Sequence, residues 1–267
     1  MSITNFHLKI SICFTVLNEE KSILKLIESL LNQTRKANEI VIVDGGSTDN
    51  TVKLIKHYQK KDKRIKLMVE KCNRAKGRNI SIDMAKNEII ATTDADCVAN
   101  KDWLQKITEP FKHNDIDISA GFYNIVCKNN FQKAESFFLG ILPDDFDVNF
   151  LPSTRSMAFR KKTWELNAYN ETLPGLEDLA WARWAHEQGY RIAYVAEAEI
   201  IHVHNESWRG ISNRYRREGM AFKMIYPQEQ FGVLDLISAF FSNVKNDLKI
   251  AKRDKIIKKV WKSVLGF

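Results

Sequence analysis

The sequence of 267 residues predicts an α/β fold in which a mostly parallel sheet is flanked by helices. Short apolar runs of strand length alternate with segments whose apolar residues recur at helical spacing. This alternation is typical of parallel sheets that helices cover on both faces. With 44% hydrophobic and 28% charged residues, the chain also has the apolar mass that a large core requires.

The first half of the chain contains four predicted strands separated by three predicted helices. Ile23, Leu26 and Ile27 illustrate the helical spacing, and the run Ile40-Val41-Ile42-Val43 illustrates a buried strand. The strands are predicted at 10–16, 40–43, 65–69 and 89–93, and the helices at 23–31, 52–58 and 78–85.

The periodicity loosens beyond Trp103. Apolar residues recur at helical spacing again from residue 231 and lead into a basic C-terminal arm, which predicts an amphipathic helical tail. Further strands are predicted at 118–126, 156–160 and 200–204, with a helix that begins near Glu177.

The positive charge of the chain is concentrated in this tail. The net charge is +8, and the segment from Lys245 to Lys262 holds eight basic residues and two acidic ones. The arm is therefore expected to meet an anionic partner, either nucleic acid or a membrane surface. Because the rest of the chain is nearly neutral, a nucleic-acid-binding module is disfavoured.

Neither a secretory pattern nor a long apolar run marks the N-terminus, so we expect a cytoplasmic protein. The four cysteines form no C-x-x-C pair. They predict reduced thiols rather than a zinc site or a disulfide framework.

Three of the predicted strands end in acidic turns. Asn18 to Glu20 follows the first strand, Asp44 to Asp49 the second, and Asp94 to Asp96 the fourth. Ligands of open parallel sheets bind outside the carboxyl ends of the strands. The three turns are therefore expected to converge on one binding rim.

Residues of two of these turns suit a nucleotide and a cation. Asp94 and Asp96 directly follow a buried strand, so both can reach one hard cation whose coordination a diphosphate completes; the alternative is a solvated acidic turn. Asp44 precedes two glycines and Ser47, a residue that can cap the next helix. Helix capping does not explain Asp44, whose carboxylate can accept hydrogen bonds from a base or a ribose.

These turns, in this order and spacing, resemble the nucleotide-binding half of family 2 glycosyltransferases, which have the Rossmann-like GT-A fold. The matching residues are Thr15 to Glu20, Asp44 to Asp49 and Asp94 to Asp96. Pro174 to Asp178 resembles the downstream Glu-Asp motif of that family, and a pair of histidines follows. The resemblance covers residues 11 to about 204.

The resemblance implies an inverting, metal-dependent transfer of a sugar from a nucleoside-diphosphate sugar to an acceptor hydroxyl. Asp44 is expected to recognise the nucleotide, Asp94 and Asp96 to hold Mn²⁺ or Mg²⁺ against the diphosphate, and Asp178 to act as general base. The expected substrate-binding residues are Asn18, Glu19, Asp44, Arg78, Asp94 and Glu177, with Asp96 and His204 as metal ligands.

Four further features of the sequence bear on the site. His202 and His204 alternate on one strand and so share a face, and His204 is favoured as the metal ligand because it ends the strand. Gly45 stands where many relatives carry a second Asp. Arg183-Trp184 resembles the signature of polymerising relatives, but Ala180 replaces its Gln, which predicts a non-processive enzyme. The arginines 209, 214, 216 and 217 either bind phosphate or form a solvated helix face.

We therefore expect a catalytic domain over 1–230, with a nucleotide-binding half of about 1–100 and an acceptor half of about 101–230. Residues 231–267 are expected to form an amphipathic basic appendage that binds the anionic inner face of the cell membrane. The expected acceptor is a lipid-linked or cell-surface glycan of bacterial envelope polysaccharide synthesis.

A sugar-nucleotidyltransferase is the alternative enzyme. It needs a glycine-rich basic loop after the first strand, whereas residues 18–20 of this chain form an acidic turn without glycine. A non-catalytic nucleic-acid- or membrane-binding module is the other alternative.

Overall fold

A computed structural model describes residues 8–127, 151–204, 208–230 and 232–253. Its strands are β1 (Ile10–Val16), β2 (Glu39–Asp44), β3 (Ile65–Val69), β4 (Ile89–Thr92), β5 (Cys97–Ala99), β6 (Ile118–Cys127), β7 (Met157–Arg160) and β8 (Ile192–His204). Its helices are α1 (Ile23–Leu31), α2 (Thr51–Lys61), α3 (Arg74–Met84), α4 (Trp103–Thr108), α5 (Lys161–Leu166), α6 (Glu177–Glu187), α7 (Trp208–Ile225) and α8 (Val233–Arg253).

The strands of the described residues form one sheet in the order β3-β2-β1-β4-β7-β6-β8-β5. The strands β1 to β4 are parallel to one another, which confirms the prediction for the first half of the chain. In this register Val16 lies beside Asp44, so the acidic turns after β1 and β2 leave the same edge of the sheet.

The second half makes the sheet mixed. β7 runs antiparallel to both β4 and β6, and β5 runs antiparallel to β8. The sequence did not predict β5, because three residues are too few to show a period. The apolar run predicted a strand only at 200–204, whereas the family resemblance places a strand entry at 189–192, and β8 does begin at Ile192.

Helices pack on both faces of the sheet around buried apolar residues. Ile23 and Leu26 of α1 and Trp103 of α4 lie in one cluster, whereas Ile82 of α3 and Trp181 of α6 lie in the other. Each such side chain contributes roughly 1.5–3 kcal/mol when it is fully buried. These two layers hold the carboxyl edge of the sheet in place.

The predicted third helix begins four residues earlier than expected. Asn73 precedes it, and the Asn73 side chain accepts a hydrogen bond from the Lys76 backbone N–H at 2.9 Å. This N-cap satisfies one of the unpaired amides of the first turn. The extra turn matters for the site, because Arg74 and Ala75 line its cavity.

The helix predicted from residue 231 is α8, and many of its described apolar side chains are exposed. Seven of them are more than a third exposed: Val233, Leu234, Ile237, Phe240, Phe241, Val244 and Leu248. None of the helices in the described residues is both long and apolar enough to span a membrane. The rest of the predicted appendage, 254–267, lies outside the described residues.

Candidate active site

A cavity of about 540 Å³ opens at the carboxyl ends of β1 and β4. The strand ends supply one wall, which includes Glu19, Asp94 and Asp96. The opposite wall consists of the loop before α6, the first residue of α6, Glu177, and the helix α7 with Arg217. The predicted convergence of the first and fourth strand ends is thus present, and the second strand end contributes Gly45.

Asp44 ends β2 and is completely buried. Its Oδ1 accepts hydrogen bonds from the backbone N–H groups of Gly46 at 3.0 Å and Ser47 at 2.7 Å. Gly46 has a φ of 100°, a conformation that glycine adopts without strain. Among the described residues, the buried Oδ2 of Asp44 has no hydrogen-bond partner. A buried carboxylate oxygen without a donor is costly unless a ligand supplies one.

Asn18 joins two loops instead of lining the cavity. Its Oδ1 accepts a hydrogen bond from the Thr48 N–H at 2.8 Å, and its own N–H donates to Ser47 Oγ at 2.8 Å. The Asn18 backbone has a φ of 56°, which Asn tolerates better than most residues. The geometry therefore gives Asn18 a role in shaping the rim and lends no support to a substrate contact.

Glu19 lines the cavity close to the other strand-end carboxylates. Burial raises the pKa of Glu19, a hydrogen bond from the Ser22 hydroxyl opposes this rise, and the charge of Asp96 adds to it. Two carboxylates at one rim repel each other unless a cation lies between them. The raised pKa of Glu19 thus reflects mainly its burial, to which the negative charge of the rim adds.

Arg78 connects the two walls of the cavity. Its Nη2 lies 2.6 Å from Oδ1 of Asp94, and its Nη1 lies 2.5 Å from Oε1 of Glu177. The helix α3 can bring Arg78 here because residue 77 is glycine, at which a Cβ would lie 2.3 Å from Thr15 Oγ1. The predicted substrate-binding residues Arg78, Asp94 and Glu177 therefore meet, and they bind one another.

These contacts keep Asp94 ionised. Burial alone would raise the pKa of Asp94, but Arg78 and Arg155 outweigh burial and lower it to about 2. Burial likewise disfavours the Arg78 cation, yet Asp94 and Glu177 raise the pKa of Arg78 above its usual range. Asp94 and Arg78 therefore both stay charged at neutral pH.

Asp96 lies against a histidine. Its Oδ2 is 2.9 Å from His202 Nε2, and its side chain is 38% exposed. The pairing of Cys97 in β5 with His202 in β8 brings the two side chains together. The backbone of His204 belongs to β8, but its side chain lies outside the described residues. Of the two histidines, only the side chain of His202, which the sequence ranked second, is described, and it contacts Asp96.

Asp178 is held by the segment that precedes β7. Its Oδ2 accepts hydrogen bonds from Ser153 Oγ at 3.2 Å, the Thr154 N–H at 3.1 Å and Thr154 Oγ1 at 3.0 Å. Its Oδ1 accepts from the Leu179 N–H at 3.0 Å. Burial would raise the pKa of Asp178, but Arg78 outweighs it and the net shift is downward. Asp178 is therefore ionised at neutral pH.

Sequence reasoning missed Arg155, which also lines the cavity. Its guanidinium lies 5.1 Å from the ring centre of Tyr123, and its Nε is 3.8 Å from Oδ2 of Asp94. The sequence shows only that Arg155 is a cation directly before a predicted strand, next to Ser153 and Thr154. This position does not predict where the Arg155 side chain points.

The arginine cluster of α7 is divided by the structure. Ile211 and Ala221 are buried and so mark the face of α7 that packs on the domain. Arg214 and Arg217 line the cavity beside this face. Arg209 and Arg216 are exposed and do not line it.

Comparison with known proteins decides the family. The model of the family described as glycosyl transferase family 2 matches residues 11–170, more than half of the chain. The chain belongs to this family. All the acidic turns at the strand ends, together with Arg78 and Arg155, fall inside the matched residues.

Similar glycosyltransferases occur in other bacteria. The glycosyltransferase GlyG of Streptococcus pneumoniae is 26% identical over 168 residues, which are 62% of this chain and 54% of that protein. The poly(ribitol-phosphate) beta-glucosyltransferase of Bacillus spizizenii is 33% identical over 265 residues, 94% of this chain and 39% of that protein. The chain thus spans only about half the length of these relatives, or less.

Solved structures show the same fold. S. aureus TarS 1–349 in complex with UDP-GlcNAc superimposes with a TM-score of 0.65 at 20% identity, over 84% of this chain and 68% of that one. The mannosyltransferase PcManGT from Pyrobaculum calidifontis, in complex with GDP-Man and Mn²⁺, gives a TM-score of 0.67 at 16% identity, over 93% and 76%. The predicted GT-A fold is confirmed.

Proposed function

We propose that this chain is an inverting glycosyltransferase that moves a sugar from a nucleoside-diphosphate sugar to an acceptor hydroxyl. The observation that carries the proposal is the single cavity in which Asp94 and Asp96 face Glu177 of the Glu-Asp motif, with Arg78 joining the two walls. One wall suits the donor, and the other suits the acceptor.

The donor is proposed to bind along the strand ends. Asp44 has one buried carboxylate oxygen without a donor, next to Gly45 at the cavity wall, and a base N–H or a ribose hydroxyl would satisfy it. Nucleotide sugars occupy similar folds in the solved structures of TarS with UDP-GlcNAc and PcManGT with GDP-Man. These ligands support a nucleotide-sugar donor here.

A divalent cation fits the residues at the end of β4. Asp96 and His202 offer a carboxylate oxygen and an imidazole nitrogen side by side, and Mn²⁺ accepts both kinds of ligand. In the described parts of the chain, no three His, Cys, Asp or Glu side chains are grouped to hold a metal ion alone. The donor diphosphate would therefore complete the coordination. When bound, the cation neutralises charge on the departing nucleoside diphosphate.

Asp178 is proposed as the general base. An ionised carboxylate with a lowered pKa can take the acceptor proton while the acceptor oxygen attacks the anomeric carbon. Attack from the face opposite the diphosphate inverts that carbon. Glu177 is tied to Arg78, so it is proposed to hold the wall in place rather than to receive the proton.

The acceptor is proposed to be a lipid-linked or cell-surface glycan of the bacterial envelope. The relative named as a poly(ribitol-phosphate) beta-glucosyltransferase matches 94% of this chain, which supports an envelope polymer as acceptor. The exposed apolar face of α8 and the basic residues at 245–262 support binding to an anionic membrane surface, where lipid-linked acceptors reside. Each Lys or Arg near such a surface contributes about 1 kcal/mol.

A donor screen tests the proposal. The protein is incubated with UDP-glucose, UDP-GlcNAc and GDP-mannose, with Mn²⁺, with Mg²⁺ or with chelator, and released nucleoside diphosphate is measured together with the unfolding temperature. We expect one donor to stabilise the protein and to be hydrolysed slowly in the presence of metal. Absence of both stabilisation and hydrolysis for an extended panel of nucleotide sugars would contradict the proposal.

A further inference from the structure

Thr154 makes more hydrogen bonds to Asp178 than any other described residue. Its backbone N–H and its hydroxyl both donate to Oδ2, at 3.1 and 3.0 Å. The residue is only 1% exposed, so water does not compete for the hydroxyl. Ser153 donates a third hydrogen bond to the same oxygen. The segment before β7 thus fixes one oxygen of the Asp178 carboxylate.

We propose that Thr154 is a positioning residue for the transfer reaction: its hydroxyl orients the Asp178 carboxylate and leaves Oδ1 to take the acceptor proton. The proposal rests on the proposed role of Asp178 as base. Oδ2 accepts three hydrogen bonds, whereas Oδ1 accepts only the one from the Leu179 N–H among the described residues. The remaining acceptor capacity of the carboxylate is therefore mainly on Oδ1.

The charged groups around Asp178 cannot give this orientation. Arg78 from α3 and Arg155 from the segment before β7 favour the ionised carboxylate, whereas Asp94 after β4 opposes it. Glu177 and the buried phenol Tyr169 complete the surroundings, and both interact with Arg78. Long-range charge acts on both carboxylate oxygens together, but a hydroxyl at 3.0 Å acts on one of them. Thr154 therefore sets the direction of the Asp178 carboxylate and adds to the effect of the arginines on its basicity.

The test variant is Thr154→Val, which removes the hydroxyl, keeps the backbone N–H and nearly preserves the volume. A carboxylate that loses a donor becomes more basic. We expect the acid limb of the kcat/KM profile to move up by about one pH unit. The free energy of a hydrogen bond to a charged group is at least as large as the free energy that corresponds to one pKa unit. We also expect kcat to fall roughly 10-fold with an unchanged donor KM, since an aligned base contributes far more than this. Thr154→Ser should restore both.

Thr163→Val is the matched control. Thr163 is also a fully buried threonine, and its hydroxyl has no hydrogen-bond partner among the described residues. This variant should leave the pH profile in place. A Thr154→Val profile that coincides with that of the wild type, or an equal shift in Thr163→Val, would overturn the inference. The profiles use the nucleotide sugar that the donor screen identifies, with water or the acceptor as nucleophile.

A second measurement does not need turnover. The folded-state pKa of Asp178 is lowered, so its hydrogen bonds stabilise the fold above the unfolded-state pKa of about 3.9 and lose this effect as the pH falls below it. Thr154→Val should therefore lower the unfolding temperature more at pH 7 than at pH 3, and equal losses would overturn the inference.

If Asp178→Asn kept wild-type turnover, the proposed role of Asp178 as general base would be wrong. If Asp178→Asn were inactive and Thr154→Val unshifted, only the role of Thr154 would fall.

Discussion

Arg78 and Glu177, 99 residues apart in the sequence, form a buried ion pair in which Nη1 lies 2.5 Å from Oε1. The exposed fractions of the two side chains are 6% and 2%. The other terminal nitrogen of Arg78 binds Asp94 at 2.6 Å. One cation therefore compensates a carboxylate of the strand-end wall and a carboxylate of the opposite wall. Without this cation, Glu177 would be a buried negative charge without a partner among the described residues.

Replacing this cation should destabilise the protein. We expect Arg78→Met to lower the free energy of unfolding by about 3–5 kcal/mol, because it leaves the buried Glu177 carboxylate without its cation and Asp94 with the more distant Arg155. Urea unfolding measures the change. Arg191→Met breaks an ion pair with Asp115 that is more than half exposed and serves as control, for which we expect little change. Equal effects of the two substitutions would contradict this account of the cluster.

Asp96 should control the use of metal. Asp96→Asn removes the charge of the carboxylate that contacts His202, so we expect metal-dependent donor hydrolysis to be lost while the fold persists. Calorimetric titration with UDP in the presence and absence of Mn²⁺ should show that the metal raises the affinity for UDP in the wild type but not in Asp96→Asn. Asp102→Asn, at an exposed pair with Lys106, should behave as wild type. Normal turnover of Asp96→Asn in chelator would rule out the assignment.

Substitution of Asp178 should mainly lower turnover, whereas substitution of Glu177 should mainly lower stability. Asp178→Asn should lower kcat by roughly 10²- to 10⁴-fold, the usual contribution of a general base, with donor affinity nearly unchanged. Glu177→Gln removes the partner of Arg78, so we expect lower stability and only a partial loss of turnover. An active Asp178→Asn beside an inactive Glu177→Gln would move the base by one residue.

The C-terminal helix should bind anionic membranes. Removal of 245–267 deletes the excess of basic residues, and Phe240→Ser with Phe241→Ser interrupts the exposed apolar face of α8. We expect either change to reduce flotation with liposomes that contain phosphatidylglycerol at low salt, while donor hydrolysis continues. Leu166→Ser, an equally exposed apolar residue on α5, is the control. Equal flotation of all variants would refute the membrane proposal.

Local pattern was sufficient for the first half of the fold. The strands at 10–16 and 65–69 were predicted with their bounds, because each is a short, mainly apolar run of strand length between segments with helical spacing. The rim of Asp94 and Asp96 followed from the same reasoning, since parallel strands end at one edge. The short helix α4 was not predicted, because six residues show too little of a period.

What the sequence by itself determined is therefore the α/β class, the acidic rim and the family. Only the tertiary structure decided which side chains meet. The pairing of Cys97 with His202 places His202 beside Asp96, and the packing of α3 on β1 at Gly77 carries Arg78 between Asp94 and Glu177. Periodicity reports whether a residue faces the core, which is a local property of the chain. The partner of a buried charge depends instead on distances between elements that packing alone sets.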